Sequence, residues 1–108
     1  HSTTYLAPNV TVGHHALIHG ARVEEGALVG MKSVLLDNAV VGSHSIVAAA
    51  AMVPEGMEIP PDTLVAGIPA KIKKELPPEN RKARQEHARE YRELAAVYLA
   101  QRASGEHR

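Results

Sequence analysis

The sequence contains no cysteine, which excludes disulfide frameworks and cysteine-based metal sites. It has no Phe and no Trp, and three Tyr are its only aromatic residues. Large rings supply much of an ordinary compact core. A chain that is 44% hydrophobic without them, drawn almost wholly from Val, Leu, Ile and Ala, points to a thin, repetitive interior. No apolar run approaches the ~20 residues of a membrane-spanning helix, so no membrane partner is expected. The amino terminus lacks the basic stretch and apolar stretch of a signal peptide, and a cytoplasmic location is expected. Lys plus Arg and Asp plus Glu each number 12, so net charge steers the chain toward no partner. At 108 residues it is one domain. It starts at His1 rather than Met, which reads as a processed, tagged or truncated product whose natural start lies upstream.

What is present divides into two regimes. Residues 1–70 are rich in Val, Ala and Gly and carry an acidic excess: Arg22 and Lys32 against Glu24, Glu25, Asp37, Glu55, Glu58 and Asp62. Residues 71–108 are rich in Arg, Glu and Ala and carry the compensating basic excess. A Pro-rich stretch with Pro54, Pro60, Pro61 and Pro69 lies before the boundary. The second regime is too short for a conventional core of its own.

That second regime reads as a helix. Pro77 and Pro78 suit its start, where a missing N–H costs little, and Glu79 suits the positive end of the macrodipole. Residues 80–102 contain neither Gly nor Pro. Ala88, Tyr91, Leu94, Ala95, Val97 and Tyr98 fall at spacings of three and four, an apolar stripe. Arg81, Arg84, Arg89 and Arg92 are interleaved with Glu86, Glu90 and Glu93, which reads as a solvated face rather than a nucleic-acid contact.

The first regime is a six-residue repeat. Val23, Val29, Leu35, Val41, Val47 and Val53 follow one another at that period. Four residues after each of the first five comes a small one: Ala27, Ser33, Ala39, Ser45 and Ala51. Upstream the frame runs through Leu6, Val12 and Ile18. The step from Ile18 to Val23 is one residue short, and Arg22 is expected in the place of a small residue. An α-helix would turn about 600° in six residues, so the stripe would wander around it. A strand and a corner fit instead. The bulky residue points inward, the small one packs at the corner, and Gly or Asn relaxes the turn. Three units make a triangular coil of eighteen residues, stacked on the next as parallel strands about 4.8 Å apart.

The pattern resembles the hexapeptide-repeat family. The resemblance implies a mainly β fold, a left-handed parallel β-helix with a carboxy-terminal α-helix packing along it. The expected organisation is a β-helix over residues 1–58, a Pro-rich turn and extended arm over 59–76, the helix over 77–103 and a disordered tail over 104–108.

Among seven His, His107 and His87 read as bland, and His15 and His44 as solvent-facing turn residues. His1 and His19 are one full coil apart and should stack on adjacent rungs of one face. That spacing lets two imidazoles converge on one metal at about 2.0–2.1 Å each. His14 lies around a corner and should reach only a metal held by a neighbouring chain about a threefold axis. Three imidazoles with an open fourth position form a catalytic zinc ligand set. On spacing alone, ordinary polar turn residues and a tag remnant at His1 remain the competing reading.

The stretch Val10-Thr11-Val12-Gly13-His14-His15-Ala16-Leu17-Ile18-His19-Gly20 resembles the signature of γ-class carbonic anhydrases, a Gly-His followed five residues later by a His-Gly. Ala27-Leu28-Val29-Gly30-Met31, Ser45-Ile46-Val47-Ala48-Ala49 and residues 59–71 are similar to it as well. Within that family the subgroup resembled is that of the phenylacetate-degradation and carnitine-operon proteins, PaaY-like and CaiE-like. The resemblance covers about residues 1–100 and spans the carboxy-terminal part of a typical member.

The resemblance implies a homotrimer. His14 matches the ligand donated across the interface, and His19 and His1 match ligands of the other subunit. Tyr91 matches a helix residue near the metal and is the candidate catalytic side chain; a core-facing role on the helix is the alternative. The implied cofactor is Zn2+, with Fe2+ or Co2+ as alternatives. The implied activity is that of a zinc-dependent lyase, hydrating CO2 to bicarbonate with a metal-activated hydroxide at the trimer interface. The alternatives are an acyl-CoA thioesterase or acyltransferase of the PaaY-like type, and a non-catalytic structural relative. The family's Arg, Gln and Asp that order the interface lie before the first metal His, where this chain has no residues. The resemblance therefore implies that the chain as it stands lacks part of the machinery.

Overall fold

The computed structural model describes residues 3–88. Its building block is a two-residue strand followed by a tight corner. The strands are β1 (Tyr5–Leu6), β2 (Thr11–Val12), β3 (Leu17–Ile18), β4 (Arg22–Val23), β5 (Leu28–Val29), β6 (Val34–Leu35), β7 (Val40–Val41), β8 (Ile46–Val47), β9 (Met52–Val53) and β10 (Glu58–Ile59). A longer pair closes the array, β11 (Thr63–Ala66) and β12 (Lys71–Glu75).

Every third strand pairs in parallel, which makes three flat sheets around a prism. They run β1-β4-β7-β10, β2-β5-β8-β11-β12 and β3-β6-β9. Only β12 is antiparallel, folding back on β11. The protein is a parallel β-solenoid of about three turns, as its six-residue period requires.

Inward positions are those that the repeat marks. Val23, Val29, Leu35, Val41, Val47 and Val53 are fully buried, and so are Ala27, Ser33, Ala39 and Ser45 at the corners. Burial of a Val or Leu side chain stabilises by roughly 1.5–3 kcal/mol, so this single file of branched aliphatics replaces an aromatic core. The buried hydroxyls are satisfied. Ser33 Oγ donates to the Gly30 carbonyl at 2.7 Å, and Ser45 Oγ donates to the Pro60 carbonyl at 2.6 Å while accepting from Thr63 N–H. Leu6 and Val12 hold the same inward positions in the first coil but are 47% and 38% exposed, because a coil stacks on only one side of them.

The corners turn through left-handed backbone. Asn9, His15, Lys32, Asn38, His44, Ala50 and Asp62 all have φ between 55° and 64°, and Gly20, Gly26, Gly56 and Gly67 are also positive. Gly30 and Gly42 are needed for a different reason from the expected relaxed turn. A Cβ on Gly30 would sit 2.6 Å from Ala49 N, and one on Gly42 would sit 2.5 Å from Pro61 N, so the next coil fills the space.

The short step lies between Ile18 and Val23, as expected, but Arg22 does not take the small position. Tyr5 pairs with Arg22, seventeen residues on, whereas Arg22 pairs with Val40, eighteen on. The residue is lost between Ile18 and the left-handed Gly20, so Ala21, fully buried, fills the small corner position. Arg22 is therefore not a substitute small residue. It points outward from β4, with its guanidinium 4.3 Å from the Tyr5 ring centroid and its Nε bonded to Glu24.

After β12, Pro77 caps a 3-10 turn over Pro78–Asn80 with Glu79 in its first turn, and residues 81–88 are α-helical. Asp62 ties this segment to the solenoid. Arg81 Nε donates to Asp62 Oδ1 at 2.9 Å, Arg84 donates to the same carboxylate, and Arg84 Nη1 donates to the Pro77 carbonyl at 2.9 Å. Arg81 and Arg84 are thus engaged with the prism rather than forming part of a purely solvated face. The hydrogen bond from Arg81, followed by the charges of Arg81, Arg84 and His44, holds the Asp62 carboxyl below the usual carboxylate range against the opposing effect of burial.

Candidate metal centre

His14 and His19 belong to the two corners that bound β3. His14 lies in the turn between β2 and β3, immediately before the left-handed His15, and its ring meets that of His15 edge-on with centroids 5.2 Å apart. His19 lies in the shortened corner between β3 and β4. The two side chains therefore stand at opposite edges of one face of the prism.

That face is apolar on its outside. Parallel register stacks Leu17, Val34 and Met52, and Leu17 is 54% exposed. The β1-β4-β7-β10 face instead presents Tyr5, Arg22, Val40 and Glu58. On the remaining face, Leu28 and Ile46 share a cavity of about 300 Å³ with Arg84, His87 and Ala88 of the helix. The described part of the helix, residues 81–88, thus approaches the sheet containing β5 and β8.

The His19 corner is fixed from both neighbouring coils. Thr4 Oγ1 accepts from Gly20 N–H at 2.8 Å and lies 3.4 Å from the Ile18 carbonyl. From the other side, Asp37 Oδ1 lies 2.7 Å from His19 Nδ1. The His19 side chain is 64% exposed and that of Asp37 only 20%. A metal-binding imidazole characteristically donates its second N–H to a carboxylate, which sets the tautomer and the ring orientation. Asp37 meets that requirement through Nδ1 and leaves Nε2 for a ligand, so the donor chemistry fits a divalent metal.

Among the described residues, no three His, Cys, Asp or Glu side chains come together as a metal-holding group within one chain. His1 and Tyr91 lie outside the described residues, as do His107, the expected helix beyond residue 88 and the expected tail. His15 is exposed, as expected of a turn residue. His44 is not simply solvent-facing: its ring fills the space beside Gly26, where a Cβ would sit 2.4 Å from Nδ1. Asp37 and Thr4 are residues that the repeat analysis missed. Asp37 carried a usable signal, because it stands eighteen residues after His19, one nominal coil away.

The six-residue register, the parallel three-sided coil and the paired histidine corners define a hexapeptide-repeat β-solenoid. More narrowly, the chain is similar to γ carbonic anhydrases and to the carnitine operon protein CaiE. It is 40% identical over 98 residues to γ carbonic anhydrase 2, mitochondrial, of Arabidopsis thaliana, covering 91% of this chain and 35% of that protein. It is 36% identical over 92 residues to the carnitine operon protein CaiE of Salmonella agona, covering 85% of this chain and 46% of that one. A crystal structure of a hexapeptide transferase family protein from Anaplasma phagocytophilum superposes with a TM-score of 0.74 at 32% identity, over 88% of this chain and 57% of that chain. The chain thus spans between a third and three-fifths of the length of these relatives. No family model matches it. No helix among the described residues is long and apolar enough to cross a membrane.

Proposed function

We propose that this chain carries the metal-holding part of a γ-carbonic-anhydrase-type hydratase that works as a homotrimer. His1 and His19 of one subunit, with His14 of the partner subunit, would hold Zn2+, or Fe2+ or Co2+ in its place. The observation that carries this reading is the placement of His14 and His19 at the two edges of one apolar face, with Asp37 holding the second nitrogen of His19. A face with a donor at each edge gives every subunit one half of a site on each side, so a closed ring completes all the sites.

When bound, the metal supplies Lewis acidity and a nucleophile at neutral pH, the requirement for converting CO2 to bicarbonate. The chain's own part is positional. Three neutral imidazoles leave a fourth position open, and the outward Leu17, Val34 and Met52 would bury the subunit contact and exclude bulk water beside it. Tyr91 is the proposed catalytic side chain, one that affects turnover without holding the metal. The chemistry is taken to occur in the cytoplasm.

Metal content, oligomeric state and CO2 hydration of the same purified protein test the proposal. A metal-loaded trimer that hydrates CO2 is the expected result; a trimer with its histidines intact that takes up no metal overturns it. A second reading keeps the same donor set and changes the substrate. The likeness to a hexapeptide transferase favours group transfer; with a coenzyme A thioester as the substrate of this reading, turnover of an aryl-CoA with no CO2 hydration would select it.

A further inference from the structure

His19 sits in the one described corner of the β-helix that is a residue short between strand and left-handed turn, and it does not share a coil with the group that holds its ring. Asp37 belongs to the next coil. Its backbone is fixed independently of its side chain, because its carbonyl accepts from Gly56 N–H at 3.0 Å in the coil beyond. Its carboxylate is largely shielded, with 20% of the side chain exposed, while the imidazole it touches is 64% exposed. A neutral imidazole in solvent exchanges its single proton between Nδ1 and Nε2, and only the nitrogen without the proton can bind a metal. A carboxylate accepts and does not donate, so at 2.7 Å it requires the proton on Nδ1.

We propose that Asp37 is a positioning residue that locks the His19 ring as the Nδ1–H tautomer and so keeps the lone pair on Nε2 available to a divalent cation. The inference rests on the reading of His19 as a metal ligand and adds the residue that prepares it. The geometry divides the task. Thr4, from the coil above, holds the corner backbone through Gly20 N–H; Asp37, from the coil below, holds the ring. Neither is a catalytic residue, since neither touches the metal or the substrate. Preparing the ring before the cation arrives spares it the loss of rotational and tautomeric freedom on binding, which is how second-partner carboxylates raise affinity.

The test compares Asp37→Ala with Asp37→Asn, whose amide oxygen can still accept from Nδ1–H. Two readouts are taken on the whole protein: the tautomer of His19 by long-range 15N–1H correlation of the metal-free form at about pH 8, where an ordinary imidazole is neutral, and Zn2+ affinity by competition with a chelating indicator. Wild type is expected to show Nδ1–H alone. Asp37→Ala should show a mixture of tautomers and bind Zn2+ about 10–100-fold more weakly. Asp37→Asn should recover part of both effects, which a merely structural loss would not do. An Asp37→Ala protein that melts like wild type and yet keeps the single tautomer, or keeps its Zn2+ affinity, overturns the proposal. If the wild type itself fails to bind Zn2+, the hydratase reading falls, and the tautomer comparison alone then decides whether Asp37 governs the ring.

Discussion

Asp62 and Arg81, nineteen residues apart, form a two-pronged ion pair that joins the last corner of the β-solenoid to the first turn of the helix. Arg84 reaches the same carboxylate, so three residues from two structural regimes meet on one anion. Asp62 N–H is itself held by the Ser43 carbonyl at 3.0 Å, and the Asp62 carbonyl accepts from Leu76 N–H at 2.7 Å. The helix is therefore anchored to a rigid corner rather than to a loose arm.

This anchor should be pH-sensitive, with a definite sign. The Asp62 pKa is lowered in the folded chain, first by the hydrogen bond from Arg81. Its contribution to stability is then fully present above the unfolded carboxylate value of about 3.9 and is lost as pH falls through the lower, folded value. Asp62→Asn should melt below wild type near neutral pH, and the gap should shrink under acid. A gap that is unchanged in acid would assign the loss to packing rather than to charge.

Ala50 occupies a left-handed corner at φ 63° without the side-chain hydrogen bonding that Asn or Asp can use there. Ala50→Gly is expected to raise stability by about 0.5–1 kcal/mol, the strain relieved less the backbone entropy of glycine. Urea unfolding checks it. A loss of stability would mean that the corner is not strained.

Gly42 meets the Pro61 backbone so closely that any side chain must push two coils apart. Gly42→Ala should cost about 1–3 kcal/mol through overpacking, despite adding one methyl group. For comparison, Leu35→Ala should cost about 2–5 kcal/mol by leaving a cavity in the prism. Chemical denaturation of both variants gives the comparison, and a neutral Gly42→Ala would contradict the close stacking.

Subunit exchange tests the divided site. His14→Ala and His19→Ala should each give metal-free protein. Mixed in equal amounts and allowed to exchange, they should recover about one quarter of the metal sites, the share expected when two kinds of subunit assort at random around a closed ring. Metal analysis of the mixture reads this directly. No recovery in exchanged trimers would place both ligands in one subunit.

Much of this architecture was legible because it is periodic. An inward Val or Leu every six residues marked the file from Val23 to Val53, and all six are buried. Where the period slips, the sequence misleads. Counting four residues from Ile18 lands on Arg22, but the residue is lost before Gly20 and Ala21 takes the corner. Composition could not reveal the slip's position, because either placement leaves Val23 inward. Asp37 was legible in principle, one nominal coil from His19, but a carboxylate at a polar corner looks like any solvated charge. The Asp62 anchor was hidden for another reason: two segments of different periodicity meet there, and neither period predicts where the other docks.

Each layer of the prism rests only on the layers directly above and below it. Heat should therefore peel such a molecule from its ends inward, with amide exchange slowest in the middle. The side chain that steadies His19 hangs from an inner storey, whereas His19 itself stands on an outer one. The corner at His19 can thus stay aligned while the strand beside it begins to fray.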